Sequence, residues 1–106
     1  MNEIDIIKTL LNTKETPASD ADTFYEVGEK YLFRTVTMIY TGKIKAIKEH
    51  EVLITEAAWI PETEEWADCV RDCIFKEVQP YTEDVILHRG ALLDSTKINK
   101  LPTTKK

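Results

Sequence analysis

Two arginines and two large aromatic residues are the side chains of this sequence best suited to holding an anionic ligand. Arg34 and Arg89 can each donate paired hydrogen bonds to a phosphate, and Tyr40 and Trp59 offer flat faces on which a base can stack. Lys43 would add positive charge nearby. The alternative interpretation is structural: Trp59, just before an Ile-Pro pair, fills a core at a strand end, and Arg89 pins a corner of the fold or a neighbouring subunit.

A metal or redox site would have to use the two cysteines. Cys69 and Cys73 are four residues apart and therefore lie on one face of a predicted helix. A zinc ion needs two further ligands, and the histidines, His50 and His88, come from distant segments. A disulfide within a regular helix has unsuitable geometry. We therefore predict that the cysteines pack in the core and that the protein binds no metal.

Catalytic motifs are also missing from the sequence. It contains no nucleophile elbow, phosphate-binding loop, zinc-hydrolase helix or dinucleotide fingerprint. The carboxylates of residues 62–72 alternate around a predicted helix, whereas general acid–base chemistry needs a pair held in a desolvated cleft. We predict a protein that is not an enzyme and that needs no cofactor.

The overall composition indicates one small domain. The chain has 106 residues, of which 42% are hydrophobic, enough for a single modest core. A net charge of −5 argues against a surface that follows nucleic-acid phosphates throughout. No run of eighteen apolar residues and no secretory signal pattern is present, so we expect no membrane span and a reducing compartment.

Charge is unevenly distributed along the chain. Residues 29–48 contain five basic residues and one acid, residues 49–72 contain eight acids and one arginine, and residues 95–106 contain four lysines and no acid. One interpretation is three solvated faces. The other is head-to-tail packing, in which the basic face of one subunit meets the acidic segment of the next.

The first half of the chain is predicted to contain a helix, an arm and three strands. Asn2 to Leu11 forms a short amphipathic helix, followed by a polar arm to Asp22. Residues 32–47 are rich in β-branched and aromatic residues typical of strands, and Gly42 within them predicts a bend or bulge. Residues 52–59 form a third strand, which Pro61 ends.

The second half is predicted to contain a helix and the last strands. Thr63 caps a helix that continues to about Ile74, with an apolar stripe that includes both cysteines. Residues 85–93 form the last strands and are interrupted at Gly90. The lysine-rich end after Thr96 is expected to be loose.

Two glycine-containing blocks resemble the two sequence motifs of the Sm-like family of small β-barrels. The matching residues are Gly42, Ile44, Ile47 and Val52-Leu53-Ile54 for the first motif, and Ile86-Leu87-His88-Arg89-Gly90 with Leu92-Leu93 for the second. The resemblance covers about residues 24–94. It implies a five-stranded antiparallel barrel that assembles edge to edge into rings and binds RNA at the inner rim.

The sequence departs from that family at the turn which handles the nucleotide. Arg89 and Gly90 carry over as site residues, but the turn Lys48-Glu49-His50-Glu51 has no Asn and contains two acids. RNA is therefore not expected as the main partner.

A second resemblance is to small bacteriophage and prophage proteins of uncharacterised activity. It lies in Arg34-Thr35-Val36-Thr37-Met38, Tyr40-Thr41-Gly42, Ala57-Ala58-Trp59-Ile60, Glu77-Val78-Gln79-Pro80 and Arg89-Gly90-Ala91-Leu92. It implies a viral origin.

Together these observations predict a mainly β protein: a small Sm-like antiparallel barrel with an N-terminal helix and one inserted helix. The expected parts are a helix and arm (1–22), a barrel domain (23–96) with its inserted helix (63–74), and a basic tail (97–106). The predicted function is a homo-oligomeric component of a virion, or an accessory protein, located in the virion or the host cytoplasm. Two alternatives stay open: a sponge for a small anionic nucleotide messenger, with ligand residues Arg34, Tyr40, Lys43, Trp59, Arg89 and Gly90, and an RNA-binding ring.

Overall fold

Six antiparallel strands in one sheet make up most of the protein. The computed structural model describes residues 23–106, so the predicted N-terminal helix and arm lie outside the described residues. The strands are β1 (Lys30–Arg34), β2 (Ile39–Ile47), β3 (Glu51–Thr63), β4 (Phe75–Pro80), β5 (Val85–His88) and β6 (Asp94–Lys97). Helix α1 (Trp66–Asp72) connects β3 to β4, and a 3-10 turn (Arg89–Ala91) connects β5 to β6. The predicted mainly β class is confirmed.

The sheet is open. Its strand order is β4-β3-β2-β1-β6, and β5 pairs with β3 as well. Strand β5 pairs with residues 51–54 of β3, whereas β4 pairs with residues 58–63. The two strands therefore lie one after the other along the same edge of β3. The hydrogen-bonded path stops at β6, and the sheet is not closed into the expected barrel. The 3-10 turn carries the chain from the β5 end of the sheet to the β6 end.

A bulge opposite Gly42 bends the two longest strands. The β2–β3 register shifts between Thr41 and Lys43, and Glu56 on the opposite strand has a left-handed φ of 52°. Such a bulge increases the local twist and redirects side chains. It separates the half of β3 that pairs with β5 from the half that pairs with β4. The bend predicted at Gly42 is confirmed.

Each face of the sheet carries a hydrophobic cluster. The first cluster packs around Phe33 and includes Tyr31, Ile44, Val52, Ile54, Ala57 and Leu87. The second lies under α1 and includes Leu32, Ala58, Ile60, Cys69, Phe75, Val78 and Ile98. Successive residues of a strand point to opposite faces, which explains why Leu32 and Phe33 belong to different clusters.

Helix α1 is shorter than predicted. It begins after Glu65, which makes no capping side-chain hydrogen bond, and it ends at Cys73, whose φ of 57° is left-handed. The predicted cap at Thr63 is wrong because Thr63 is still part of β3 and pairs with Phe75.

The boundary predicted at Pro61 is also wrong. Strand β3 continues to Thr63, past the last β2 pair at Trp59. Pro61 lies where the β3–β4 register is irregular, so its missing N–H removes no regular ladder bond.

The chain after Thr96 is ordered against the sheet instead of loose. Ile98 is buried in the second cluster, and Leu101 packs against it. At the end of the sequence, the backbone N–H of Lys106 donates to the carbonyl of Val78 at 3.0 Å, and the Val78 N–H donates back at 2.9 Å. The apolar residues between the lysines explain the difference, because the lysine heads stay in water while Ile98 and Leu101 bury their side chains.

Candidate functional site

Arg34 is engaged within the chain. It ends β1, and its guanidinium donates to both carboxylate oxygens of Asp94, with an Nε–Oδ1 distance of 3.1 Å. The guanidinium carbon also lies 5.3 Å from the centre of the Trp66 ring. The hydrogen bond and the charge of Asp94 raise the pKa of Arg34 above its usual value. These contacts join β1, β6 and α1.

Tyr40 and Trp59 are direct cross-strand neighbours. They face each other across β2 and β3, and Tyr40 also lies opposite Phe33 of β1. The ring of Tyr81 lies 6.4 Å from that of Tyr40, and the Tyr40 hydroxyl donates to the sulfur of Met38 at 2.9 Å. Burial and the neighbouring Tyr81 raise the pKa of Tyr40. The result is a partly exposed aromatic patch in which Tyr40 and Trp59 share one face of the sheet.

Lys43 contacts the residue that forms the bulge. Its Nζ lies 3.5 Å from the carboxylate of Glu56, and both side chains remain partly exposed. Its cross-strand neighbours are Lys30 and Thr55. An exposed pair of this kind contributes little to stability. The carboxylate nevertheless partly neutralises the positive charge of Lys43, which would otherwise attract a phosphate.

Arg89 holds the β2–β3 turn against the 3-10 turn. Its Nη1 donates to the carbonyl of Lys48 at 2.7 Å, and its backbone N–H donates to the carbonyl of His50 at 2.8 Å. The guanidinium carbon lies 5.8 Å from the ring centre of Tyr25. Gly90 next to it is exposed, and a Cβ added there would meet no atom within 4 Å. Arg89 therefore pins a corner of the fold, as one interpretation of the sequence expected.

A cavity of about 360 Å³ lies beside Arg89. It is lined by Thr23, Phe24, Tyr25, Tyr31, Arg89 and Ser95. The Tyr25 hydroxyl is hydrogen-bonded to that of Ser95 at 2.7 Å. The cavity combines one cationic group with several aromatic walls, a composition that suits a small planar anion.

The structure does not gather the six predicted ligand residues into one site. Tyr40 and Trp59 share a face of the sheet, whereas Arg34, adjacent to Phe33, points to the opposite face. Arg89 lies outside the sheet in the 3-10 turn and has a different set of partners.

Residues that the sequence interpretation missed complete the local environments: Asp94 for Arg34, Tyr25 for Arg89 and Tyr81 for Tyr40. Asp94 is 60 positions from Arg34, and no local pattern in the sequence signals the contact.

The cysteines differ in their surroundings. Cys69 is fully buried in the second cluster and Cys73 is half-buried; both are free thiols. Burial and the neighbouring Cys73 raise the pKa of Cys69 to about 11, so it is a neutral thiol and a poor nucleophile at physiological pH. Within residues 23–106, no group of three or more His, Cys, Asp or Glu side chains is placed to hold a metal ion.

Two further findings do not concern single side chains. In the part of the chain that the structure describes, no helix has the length and apolar character needed to cross a membrane. No protein-family model and no curated protein matches this sequence.

Proposed function

We propose that the protein is a non-enzymatic, Sm-like β protein of viral origin that assembles with copies of itself, as a virion component or an accessory protein. The observation that carries the proposal is the open sheet. Within residues 23–106, β5 pairs only with β3, and β6 pairs only with β1, so each leaves one edge without a partner strand. Unpaired strand edges favour pairing with another chain.

Several charged side chains already have hydrogen-bonding or ion-pair partners within the chain, which supports a structural role. Arg34, Lys43 and Lys45 are paired with Asp94, Glu56 and Asp84. Arg89 donates to the backbone at Lys48. Three of the residues predicted to hold an anionic ligand, Arg34, Lys43 and Arg89, therefore already have partners within the chain.

Self-association is expected to be visible in the mass in solution. Light scattering from about 10 µM to about 1 mM should give a mass above the 12.2 kDa of one chain, rising with concentration by mass action. A mass of one chain throughout this range would contradict the proposal.

The cavity beside Arg89 favours a second candidate, a binding protein for a small anionic nucleotide. Thermal unfolding with a panel of cyclic and linear nucleotides tests it. A ligand at about 100 times its Kd contributes about 2.7 kcal/mol, which raises the Tm of a domain of this size by about 10 °C or more.

The matched variant for this test is Arg89→Lys, which keeps a donor for the Lys48 carbonyl but loses the paired donors that suit a phosphate. The ligand-induced rise should vanish in the variant, with each protein compared with its own ligand-free Tm. If no nucleotide raises the Tm of the wild type, this candidate is excluded.

A further inference from the structure

The outer edge of β5 presents backbone groups that no other described strand uses. Lys48 donates to the carbonyl of Glu51 at 2.8 Å, so Glu51 directs its backbone groups towards β2. Because this direction alternates along an antiparallel strand, Val52 and Ile54 direct theirs towards β5.

The pairing register then determines which residues of β5 point outwards. Leu87 lies opposite Val52 and Val85 lies opposite Ile54, so these two bond with β3. Ile86 and His88 consequently direct their N–H and C=O groups away from the sheet. The hydrogen bond from Arg89 N–H to the His50 carbonyl fits the same alternation.

A partly exposed apolar row leads to this edge. It consists of Ala46, Leu53 and Ile86, one residue each from β2, β3 and β5, placed opposite one another in the register. Ile86 is 61% exposed, and a cavity of about 160 Å³ lies along the row. Helix α1 and the tail cover the same face only beyond the bulge at Glu56, so neither of these described elements covers this end of the face.

We propose that a second copy of this chain pairs antiparallel with the β5 edge about a two-fold axis centred on Ile86. The inference rests on the proposed self-association and names the surface that produces it. Ile86 would exchange two backbone hydrogen bonds with its equivalent, and the apolar row would continue across the axis into the other copy. One row on each side then becomes a single row of six residues shielded from water.

Charge and polarity select this register. A two-fold axis perpendicular to the sheet places residues of the same face opposite each other, and registers centred on Val85, Ile86 or Leu87 align the outward backbone groups. The register centred on Val85 places Ile86 against an aspartate. The register centred on Leu87 places Ile86 against a histidine. The register centred on Ile86 pairs the two isoleucines and places His88 opposite Asp84.

The Asp84 carboxylate has room for this contact. It accepts from Lys45 at 3.0 Å, and Lys45 and Thr55 lower its pKa by hydrogen bonding. A carboxylate has about four acceptor positions, so it can also accept an imidazole N–H. On its own chain, His88 lies opposite Glu51, which gives the imidazole an acid on either side in the paired state.

The variant Ile86→Asp tests the surface, with Val36→Asp as its control. Val36 is 80% exposed in the β1–β2 turn and lies outside the row. Ile86→Asp places like charges opposite each other on the axis. We therefore expect the dissociation constant of the dimer, measured by light scattering, to rise at least about tenfold. Val36→Asp should leave the mass unchanged.

The outcomes separate this inference from the proposed function. A wild-type mass above one chain that Ile86→Asp leaves unaltered would overturn the β5 pairing while the self-association stands. A wild-type monomer at about 1 mM would overturn both.

Crosslinking tests the register directly. In a Cys73→Ser background, Ile86→Cys should form a covalent dimer under mild oxidation, because opposite residues have Cα atoms about 5.5 Å apart, within disulfide range. His88→Cys, which would face Asp84 and not its own equivalent, should stay monomeric on a denaturing gel. A crosslink in the His88 variant, or none in the Ile86 variant, would overturn the register.

Discussion

Replacing Gly42 with alanine is expected to destabilise the protein by about 2–3 kcal/mol, the cost of forcing an extra carbon into a packed core. A Cβ at position 42 would lie 2.8 Å from Cδ1 of Ile54 and 2.9 Å from its Cβ. The Ile54 Cβ is attached to the backbone of β3, so it cannot move away without shifting the strand. The decrease should appear as a lower midpoint of urea unfolding.

Gly90 supplies a control with the same chemical change. A Cβ there would meet no atom within 4 Å, and Gly90 does not adopt a left-handed φ. Gly90→Ala should therefore leave the unfolding midpoint nearly unchanged. Equal losses from the two variants would show that close packing at position 42 is not the reason for its glycine.

Truncation of Phe33 should have the largest effect of any single substitution considered. Phe33 has no exposed surface and belongs to the first cluster, where its ring centre lies 6.1 Å from that of Tyr25 and 5.7 Å from that of Tyr31. Removing a buried phenyl ring costs about 3–5 kcal/mol because it combines lost burial with a cavity. Since a domain of this kind is stable by only about 5–15 kcal/mol, Phe33→Ala should lower the Tm by at least about 12 °C.

Phe24 is the matched control, because its side chain is fully exposed. Phe24→Ala removes the same atoms without creating a cavity, so its Tm should stay within about 2 °C of the wild type, as for ordinary surface substitutions. Circular dichroism during heating measures both variants. A Phe33→Ala protein as stable as Phe24→Ala would show that the first cluster does not hold the sheet together.

The sequence predicted those parts of the fold that depend on local chemistry. The bulge at Gly42 follows from a glycine within a β-branched run, and α1 follows from an apolar stripe of helical spacing. The prediction that β3 ends at Pro61 is wrong because a proline ends a strand only where the neighbouring strand needs an N–H donor at that position. The register with β4, which is distant in sequence, decides whether it does. The position of the tail depends likewise on a hydrophobic cluster built from residues far apart in sequence, from Leu32 to Ile98.

The candidate site was less predictable for the same reason. Residue type indicated that Arg34 and Arg89 could bind anions, but their partners decide whether they are free to do so. Asp94 and the Lys48 carbonyl lie far away in sequence. The β5 edge is a clearer case: its apolar residues are visible in the sequence, whereas the lack of a neighbouring strand within residues 23–106 is a property of topology.

The pairing of Lys106 with Val78 also limits how far the sheet can extend. The last residue occupies backbone groups of β4 that would otherwise form a template for a further strand. The two-fold contact proposed at β5 would use the same surface on both copies and close on itself. At β4 the tail takes the place of a further strand, so among residues 23–106 the edges left for another chain are those of β5 and β6.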